Sequence, residues 1–384
     1  MPGDGPLSAA DLTPGGLTGR AADTAALRLM LDDSRLVTVT GLPGVGKTAV
    51  ALEAALTAAG EFADGTLLLR LDGLSDEALL PHTIAAVLQL ADDFSSSRLE
   101  VLVDQLRDRH MLIILDTCEH VLGACTALVA ALLTPCPKIS VLATSREPLR
   151  VPGESVAVIH PLRLADAMTL FGARAAAAGI EIGPEHRATV ASICVQLDKL
   201  PLAIQLAAAG LADAGLADAG LADTGLAGTG APGQPVSQLL AELLGRLERG
   251  EDVPGAPRPA GTRQHTMRTA IGWSHELCTP GERLLWARLS LFPGPFSLRD
   301  AQEVCATSQL PDGAIEAGLA LLTERSVLLV DDRSGDGPRY TLPVTLRAYG
   351  RQMLRRLGQE EEFADRYRRW QDRRRPRRGA ATGP

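Results

Sequence analysis

Leu36-Val37-Thr38-Val39-Thr40 runs directly into Gly41-Leu42-Pro43-Gly44-Val45-Gly46-Lys47-Thr48, and this junction decides the fold. The first five residues are apolar or β-branched and read as a buried strand. An Ala/Leu-rich helix follows the glycine-rich segment to about Ala59. The spacing of the loop has a physical cause. Glycines let consecutive backbone N–H groups turn inward around an anion, Lys47 adds a positive charge, and Thr48 offers a hydroxyl to Mg²⁺. The helix that starts there points its positive dipole end at the same anion. Gly41, Leu42, Pro43, Gly44, Val45, Gly46, Lys47 and Thr48, continued by Ala49, are therefore read as a phosphate cradle. Lysine is scarce, with Lys47, Lys138 and Lys199 the only three, and one of them falls inside this loop.

Outward from the loop, strands alternate with helices. Gly65–Leu71, Met111–Leu115, Ile139–Thr144 and Ser155–Ile159 read as further strands. Helical patterns cover about 23–33, 79–91, 97–108 and 119–133. In the first of these, Ala26, Leu27, Met30 and Leu31 share a face. The alternation predicts an α/β, doubly wound parallel sheet over residues 23–160, preceded by an arm at 1–22. From Leu164 the pattern turns helical, over 164–178 and 185–209, and predicts a helical domain at 161–209. Gly210 to Gly230 is a pentapeptide array, GLADA-GLADA-GLADT-GLAGT. With the Pro/Gly-rich flanks of an amphipathic helix at Val236–Leu247, it reads as a linker over 210–262. Residues 263–357 show four helices, a hairpin at 327–342 and a closing helix of about 344–372, which suit a winged-helix (α+β) domain. A basic tail is read at 358–384.

The chain has 384 residues, 46% of them apolar, enough for two or three domains with real cores. No apolar run reaches membrane-spanning length, and the N-terminus lacks a basic start followed by an apolar core, so a cytoplasmic protein without a membrane partner is expected. The six cysteines show no CxxC spacing, so neither a disulfide framework nor a zinc site is expected. The formal charge of −8 gives no general nucleic-acid signature, but residues 365–384 hold eight Arg and two Asp.

Three further residues have chemistry that fits the loop. Asp116 ends the apolar strand Leu112-Ile-Ile-Leu-Asp116. It is read as lying beside the loop's strand, placed with Thr48 to hold the Mg²⁺ shell. Glu119 lies three residues on and is a candidate to orient or deprotonate an attacking water. Arg146, in Ala143-Thr-Ser-Arg146, follows the fourth strand at the rim where ligands bind in such sheets, and is a candidate γ-phosphate contact.

TGLPGVGKT, LIILDTCEH, VLATSREPLRVPGE and LDKLPLAIQLAAA, in this order, resemble the signal-transduction NTPases with NB-ARC-type domains (the STAND class), in particular the bacterial version in LuxR-type and SARP-type (AfsR-like) transcriptional regulators. The resemblance covers about residues 15–355. It implies ATP or ADP with Mg²⁺ as ligands and slow ATP hydrolysis. It also implies Arg20 of Leu17-Thr-Gly-Arg20 and Pro201 near the base, and a winged-helix segment from His265 to Tyr349. Thr117 stands where Asn is usual, Lys199 replaces the Gly and Gln205 the Glu of the GLPLA-type motif, and no Met-His-Asp-like triplet is visible.

The resemblance implies a nucleotide switch, with self-association or a protein partner in the ATP state. The alternative is a DNA-binding regulator using the winged helix and the Arg-rich end. A small-molecule kinase is the third reading, with no substrate motif behind it. With no effector domain or repeat array visible, the chain is expected to be an NTPase core without its usual attachments, or a fragment of a larger regulator.

Overall fold

A computed structural model describes residues 5–6, 17–72, 74, 77–87, 98–218, 236–248, 267–331 and 337–374. Two units are distinguished, Met1–Ala270 and Ile271–Pro384. In the first, the strands are β1 (Gly5–Pro6), β2 (Leu36–Gly41), β3 (Thr66–Arg70), β4 (Met111–Asp116), β5 (Ile139–Thr144) and β6 (Glu154–Ile159). Helices α1 (Ala21–Asp33), α2 (Lys47–Ala58), α3 (Leu80–Val87), α4 (Arg98–Leu106) and α5 (Leu122–Leu133) run between them. Five strands are parallel in the spatial order β3-β4-β5-β2-β6, and the two-residue β1 pairs antiparallel on the outer edge of β3.

Strand parity divides the apolar residues between two faces. Leu36, Leu67, Leu69, Ile113, Leu115 and Val141 join one core with Leu102, Leu106 and Leu128 of α4 and α5. Val37, Leu68, Leu112, Ile114 and Leu142 are buried on the opposite face, where α2 packs on β2, β4 and β5. A sheet covered on both faces is what near-continuous apolar strands require. The face expected on α1 is narrower than its apolar pattern: Leu27 and Leu31 are buried, while Ala26 is exposed. The last residues read into the 79–91 helix lie outside the described residues.

One strand placement differs from expectation. β4, which ends in Asp116, does not adjoin the loop's strand β2, because β5 lies between them. All three strands are fully buried and mostly apolar, so their side chains carry no signal of lateral order.

A helical layer follows: α6 (Leu164–Ala177), α7 (Arg187–Gln196), α8 (Pro201–Asp218) and α9 (Val236–Glu248). α6 packs on α7 and α8, and α9 packs on α7 and α8. The start of the pentapeptide array thus belongs to α8. The amphipathic helix read as part of a linker belongs to this layer, while 219–235 and 249–266 lie outside the described residues.

The second unit contains most of α10 (Met267–Glu276), then α11 (Pro280–Leu289), α12 (Leu298–Cys305), α13 (Asp312–Glu324), the antiparallel pair β7 (Leu329–Asp331) and β8 (Arg339–Thr341), α14 (Val344–Arg356) and α15 (Glu360–Arg374). Capping boxes open α11 (Thr279 with Glu282) and α12 (Ser297 with Asp300). The closing helix expected as one piece is two. Gly358 takes φ +67°, and its N–H and that of Gln359 bond the carbonyls of Arg355 and Leu354, a Schellman stop. Residues 360–374, read as part of a basic tail, form a helix packed on α12 and α14. Phe363 is fully buried, and Tyr367 and Trp370 ring-pack on Phe292.

Candidate nucleotide site

Gly41 is the last residue of β2 and stands opposite Ile159 in the parallel register. Its φ is +145°, and a Cβ there would lie 2.5 Å from the Ile159 carbonyl oxygen, so a side chain at this position would force strand and loop apart. The loop turns back through a Val45 N–H to Leu42 carbonyl bond of 3.2 Å. Gly46, in the left-handed region, is the N-cap of α2. That cap has no side-chain acceptor, so the first-turn N–H groups of α2 are left for an anion.

Within the loop, Lys47 Nζ donates to the Gly41 carbonyl at 2.9 Å and the Leu42 carbonyl at 3.3 Å. Desolvation lowers its pKa to about 8. Glu119 and Asp116 oppose that shift, and Arg146 adds to it. Thr48 Oγ1 donates to Asp116 Oδ1 at 2.6 Å, and Thr144 Oγ1 donates to the same oxygen at 2.6 Å. Burial pushes the Asp116 carboxyl above its ordinary range, and the two threonine hydroxyls partly offset this. A divalent cation beside Thr48 would compensate such a carboxylate, so the residues present fit Mg²⁺ held by Thr48 and Asp116.

The intervening strand has a role here. Thr144 ends β5, opposite Val39 of β2. Besides holding Asp116, its hydroxyl accepts the Thr117 N–H at 2.9 Å. Thr117 itself sits at φ 69°, ψ 57°, a left-handed conformation that a β-branched residue rarely adopts. The chain then enters a short 3₁₀ turn, Cys118–His120, which sets Glu119 beside Arg146. Arg146 Nε donates to Glu119 Oε1 at 2.9 Å, and the two side chains are 5% and 7% exposed. Glu119 Oε2 is buried without a hydrogen-bond partner.

Above these groups is a cavity of about 540 Å³. Lys47, Thr48, Glu119 and Arg146 line it, as do Pro43 to Gly46, Ala49, Arg20 and Pro201. Gly41, Leu42 and Asp116 are buried and are not among the lining residues. The helical layer closes over the loop through the Leu202 N–H, which donates to the Gly44 carbonyl at 3.2 Å. Arg20 braces the loop: its guanidinium donates to the carbonyls of Val45 (2.7 Å) and His160 (2.8 Å) and to Asp23 (2.7 Å). Pro201 opens α8 two residues after Lys199, which with Asp198 is left-handed, at φ 56° and 53°.

Sequence reasoning passed over Thr144 and the cavity-lining Arg174, and took Gln205 only as a departure from a motif. Thr144 had a signal, a polar residue at the carboxyl end of a mostly apolar strand. Arg174 had none, because one exposed arginine on a helix is ordinary.

Comparison with known proteins agrees with this architecture. A family model described as a winged helix-turn-helix domain matches residues 279–355, which span α11 to α14. The chain is 36% identical over 341 residues to Rv0890c of Mycobacterium tuberculosis (strain ATCC 25618 / H37Rv), a protein named provisionally as an HTH-type transcriptional regulator. That match covers 88% of this chain and 36% of the relative, so the chain spans about a third of its length. A solved structure, the Walker-type ATPase PABY2304 of Pyrococcus abyssi, superposes with a TM-score of 0.54 at 12% identity, over 87% of this chain and 95% of that one. At that identity the likeness establishes the fold: an α/β P-loop ATPase fold with added helices, followed here by a winged helix-turn-helix. Uncharacterized protein Rv0894 of the same M. tuberculosis strain is 33% identical over 354 residues, covering 91% of this chain and 84% of the relative. The chain belongs to the family of Rv0894.

Proposed function

We propose that this chain binds ATP or ADP with Mg²⁺ and works as a STAND-class nucleotide switch in the regulation of transcription. The observation that carries the reading is the convergence of Lys47, Thr48, Glu119 and Arg146 on one cavity, with Asp116 bonded to Thr48 beneath it. The first-turn N–H groups of α2 and Lys47 receive the phosphates. Thr48 and Asp116 hold the cation, which neutralises phosphate charge when bound. The apolar groups of the arm (Leu17), of the segment before α6 (Leu162), of α6 (Leu170) and of α8 (Pro201) suit the base.

Hydrolysis is the slower activity in this reading. A water oxygen bonds the γ-phosphorus, the β–γ bridging P–O bond breaks, the water proton passes to the Glu119 carboxylate, and ADP and phosphate leave. The resemblance to LuxR-type and SARP-type regulators supports placing the switch in transcription, with self-association or a protein partner in the ATP state. Nucleotide released from the purified chain is expected to be ADP or ATP. Sizing with ADP and with ATP should give different elution volumes. Identical elution in both states would remove the switch from the proposal.

A second reading, direct DNA binding, is favoured by one observation, the winged helix-turn-helix match. Against it, the outward positions of α13, the third helix of that match, are Asp312, Gly313, Glu316, Ala317, Ala320, Leu321 and Glu324, with no base among them. Tyr367 and Trp370 are packed on Phe292 and not free to stack on bases. In low salt the chain is therefore expected to give no duplex shift that residues 375–384 do not account for. A salt-dependent shift that survives removal of those residues would favour the DNA reading.

A further inference from the structure

At the phosphate end of the cavity the charged groups are engaged with the chain itself: Lys47 with the Gly41 and Leu42 carbonyls, and Asp116 with Thr48 and Thr144. Two charged side chains farther along are not. Glu53 of α2 and Arg174 of α6 both line the cavity, and neither side chain has a hydrogen-bond or ion-pair partner among the described residues. They stand on different layers. Glu53 lies one turn beyond Ala49 on the same face of α2, and both line the cavity. Six residues separate Glu53 from Lys47, which carries it about 9 Å along the helix axis from the start of the phosphate site. Arg174 follows Leu170 by one turn on the cavity side of α6. Between the two are the apolar walls, Leu162, Leu170 and Pro201 among them.

A planar base sets its ring faces against apolar walls and leaves its polar atoms on its edge, where a few polar side chains fix its orientation. A carboxylate only accepts and a guanidinium only donates. Together they fit an edge that offers an N–H and a lone pair side by side. Adenine has such an edge: its 6-amino group is flanked by ring nitrogens that accept. A 6-oxo purine does not, because it turns a carbonyl oxygen toward the carboxylate. Resting on the nucleotide reading of this cavity, we infer that Glu53 and Arg174 select the adenine base, Glu53 accepting from the 6-amino group and Arg174 donating to an adjacent ring nitrogen. Neither residue belongs to the phosphate loop, so base choice and phosphate binding are separable. The two also come from opposite walls, α2 of the sheet layer and α6 of the helical layer. An adenine nucleotide therefore bridges the layers, and a base with the wrong edge leaves both charges without a partner.

Equilibrium dialysis of the full chain with Mg²⁺ and three probes separates base from phosphate. The probes are ADP, inosine diphosphate, which carries the 6-oxo edge, and pyrophosphate, which has no base. Wild type is expected to bind ADP at least about tenfold more tightly than inosine diphosphate. Glu53→Gln presents an amide that can donate to a 6-oxo group, and should narrow that gap to about twofold, chiefly by tightening inosine diphosphate. Arg174→Met should weaken ADP by about tenfold. Pyrophosphate should stay within about twofold of wild type in both variants, since neither change touches the loop. If Glu53→Gln does not fold, Glu53→Ala should close the gap from the other side, by weakening ADP. A wild type that binds ADP and inosine diphosphate equally, a Glu53→Gln chain that keeps the wild-type gap, or an Arg174→Met chain that binds ADP as wild type does would overturn the assignment and leave nucleotide binding intact. Parallel losses of ADP and pyrophosphate would overturn it too, because the side chains would then act through the fold. Absence of ADP binding by folded wild type would instead remove the reading on which the assignment rests.

Discussion

Thr117 and Lys199 are both left-handed, at φ 69° and 56°. These are two of the positions at which the chain departs from the pattern of the NB-ARC-type NTPases it resembles, where Asn and Gly are usual. The structure gives the physical reason for the usual residues: Asn tolerates this region and Gly has no side chain to clash, whereas a β-branched or long residue is strained there. Thr117→Asn and Lys199→Gly should each raise stability by about 1 kcal/mol, read as a shift in the urea midpoint. No gain in either variant would show that the surrounding contacts absorb the strain. Lys47 gives a pH prediction with two opposite signs. Its pKa falls from 10.5 in an ordinary lysine to about 8 in the loop. Between those values the unfolded chain binds more protons than the folded one, so the nucleotide-free chain becomes more stable as pH rises through that window. Nucleotide affinity needs the ammonium and should fall over the same window. A titration series from pH 7 to 10 checks both. The identities of Lys47, Thr48, Glu119 and Arg146 were legible in the sequence because each sits at a fixed offset from a strand end. That Glu119 and Arg146 hold each other was not legible, since it depends on a 3₁₀ turn that no periodicity announces.

At the scale of elements, Asp300 ties three together. It closes the capping box of α12 through the Ser297 N–H at 2.9 Å, pairs with Arg339 of β8 at 3.5 Å, and with Arg374 of α15 at 2.6 Å, and is 1% exposed. Trp370 Nε1 donates to it as well, at 3.3 Å. Removing a buried acid with this many partners leaves them unpaired, so Asp300→Ala should cost about 3 kcal/mol. Proteolysis should then cut α15 first. A variant with unchanged stability would mean that aromatic packing alone docks the helix. Sequence patterns placed the strands of the sheet and most helices to within a few residues, because apolar periodicity follows burial. They missed the break at Gly358, where a single glycine outweighed an otherwise continuous helical pattern and split the expected closing helix into α14 and α15. They also missed the place of β5 between β4 and β2, since lateral order is fixed by tertiary packing and not by any one strand. That placement has a chemical result: Thr144 reaches Asp116 on one side and the turn leading to Glu119 on the other.

For the whole molecule, two features set what the chain can do: a phosphate-type loop under a helical layer, and a winged helix-turn-helix whose third helix faces outward with Asp312, Glu316 and Glu324. No helix among the described residues is long and apolar enough to cross a membrane. In the function proposed above, the acidic outward positions of that helix disfavour contact with DNA phosphates, and the nucleotide site carries the activity. Calorimetric titration of ADP, with Mg²⁺, into the nucleotide-stripped wild-type chain and into Lys47→Ala tests that site most directly. The account predicts saturable one-to-one binding by wild type and at least about a hundredfold loss in the variant. Equal binding by both chains, or none by a folded wild type, would contradict it.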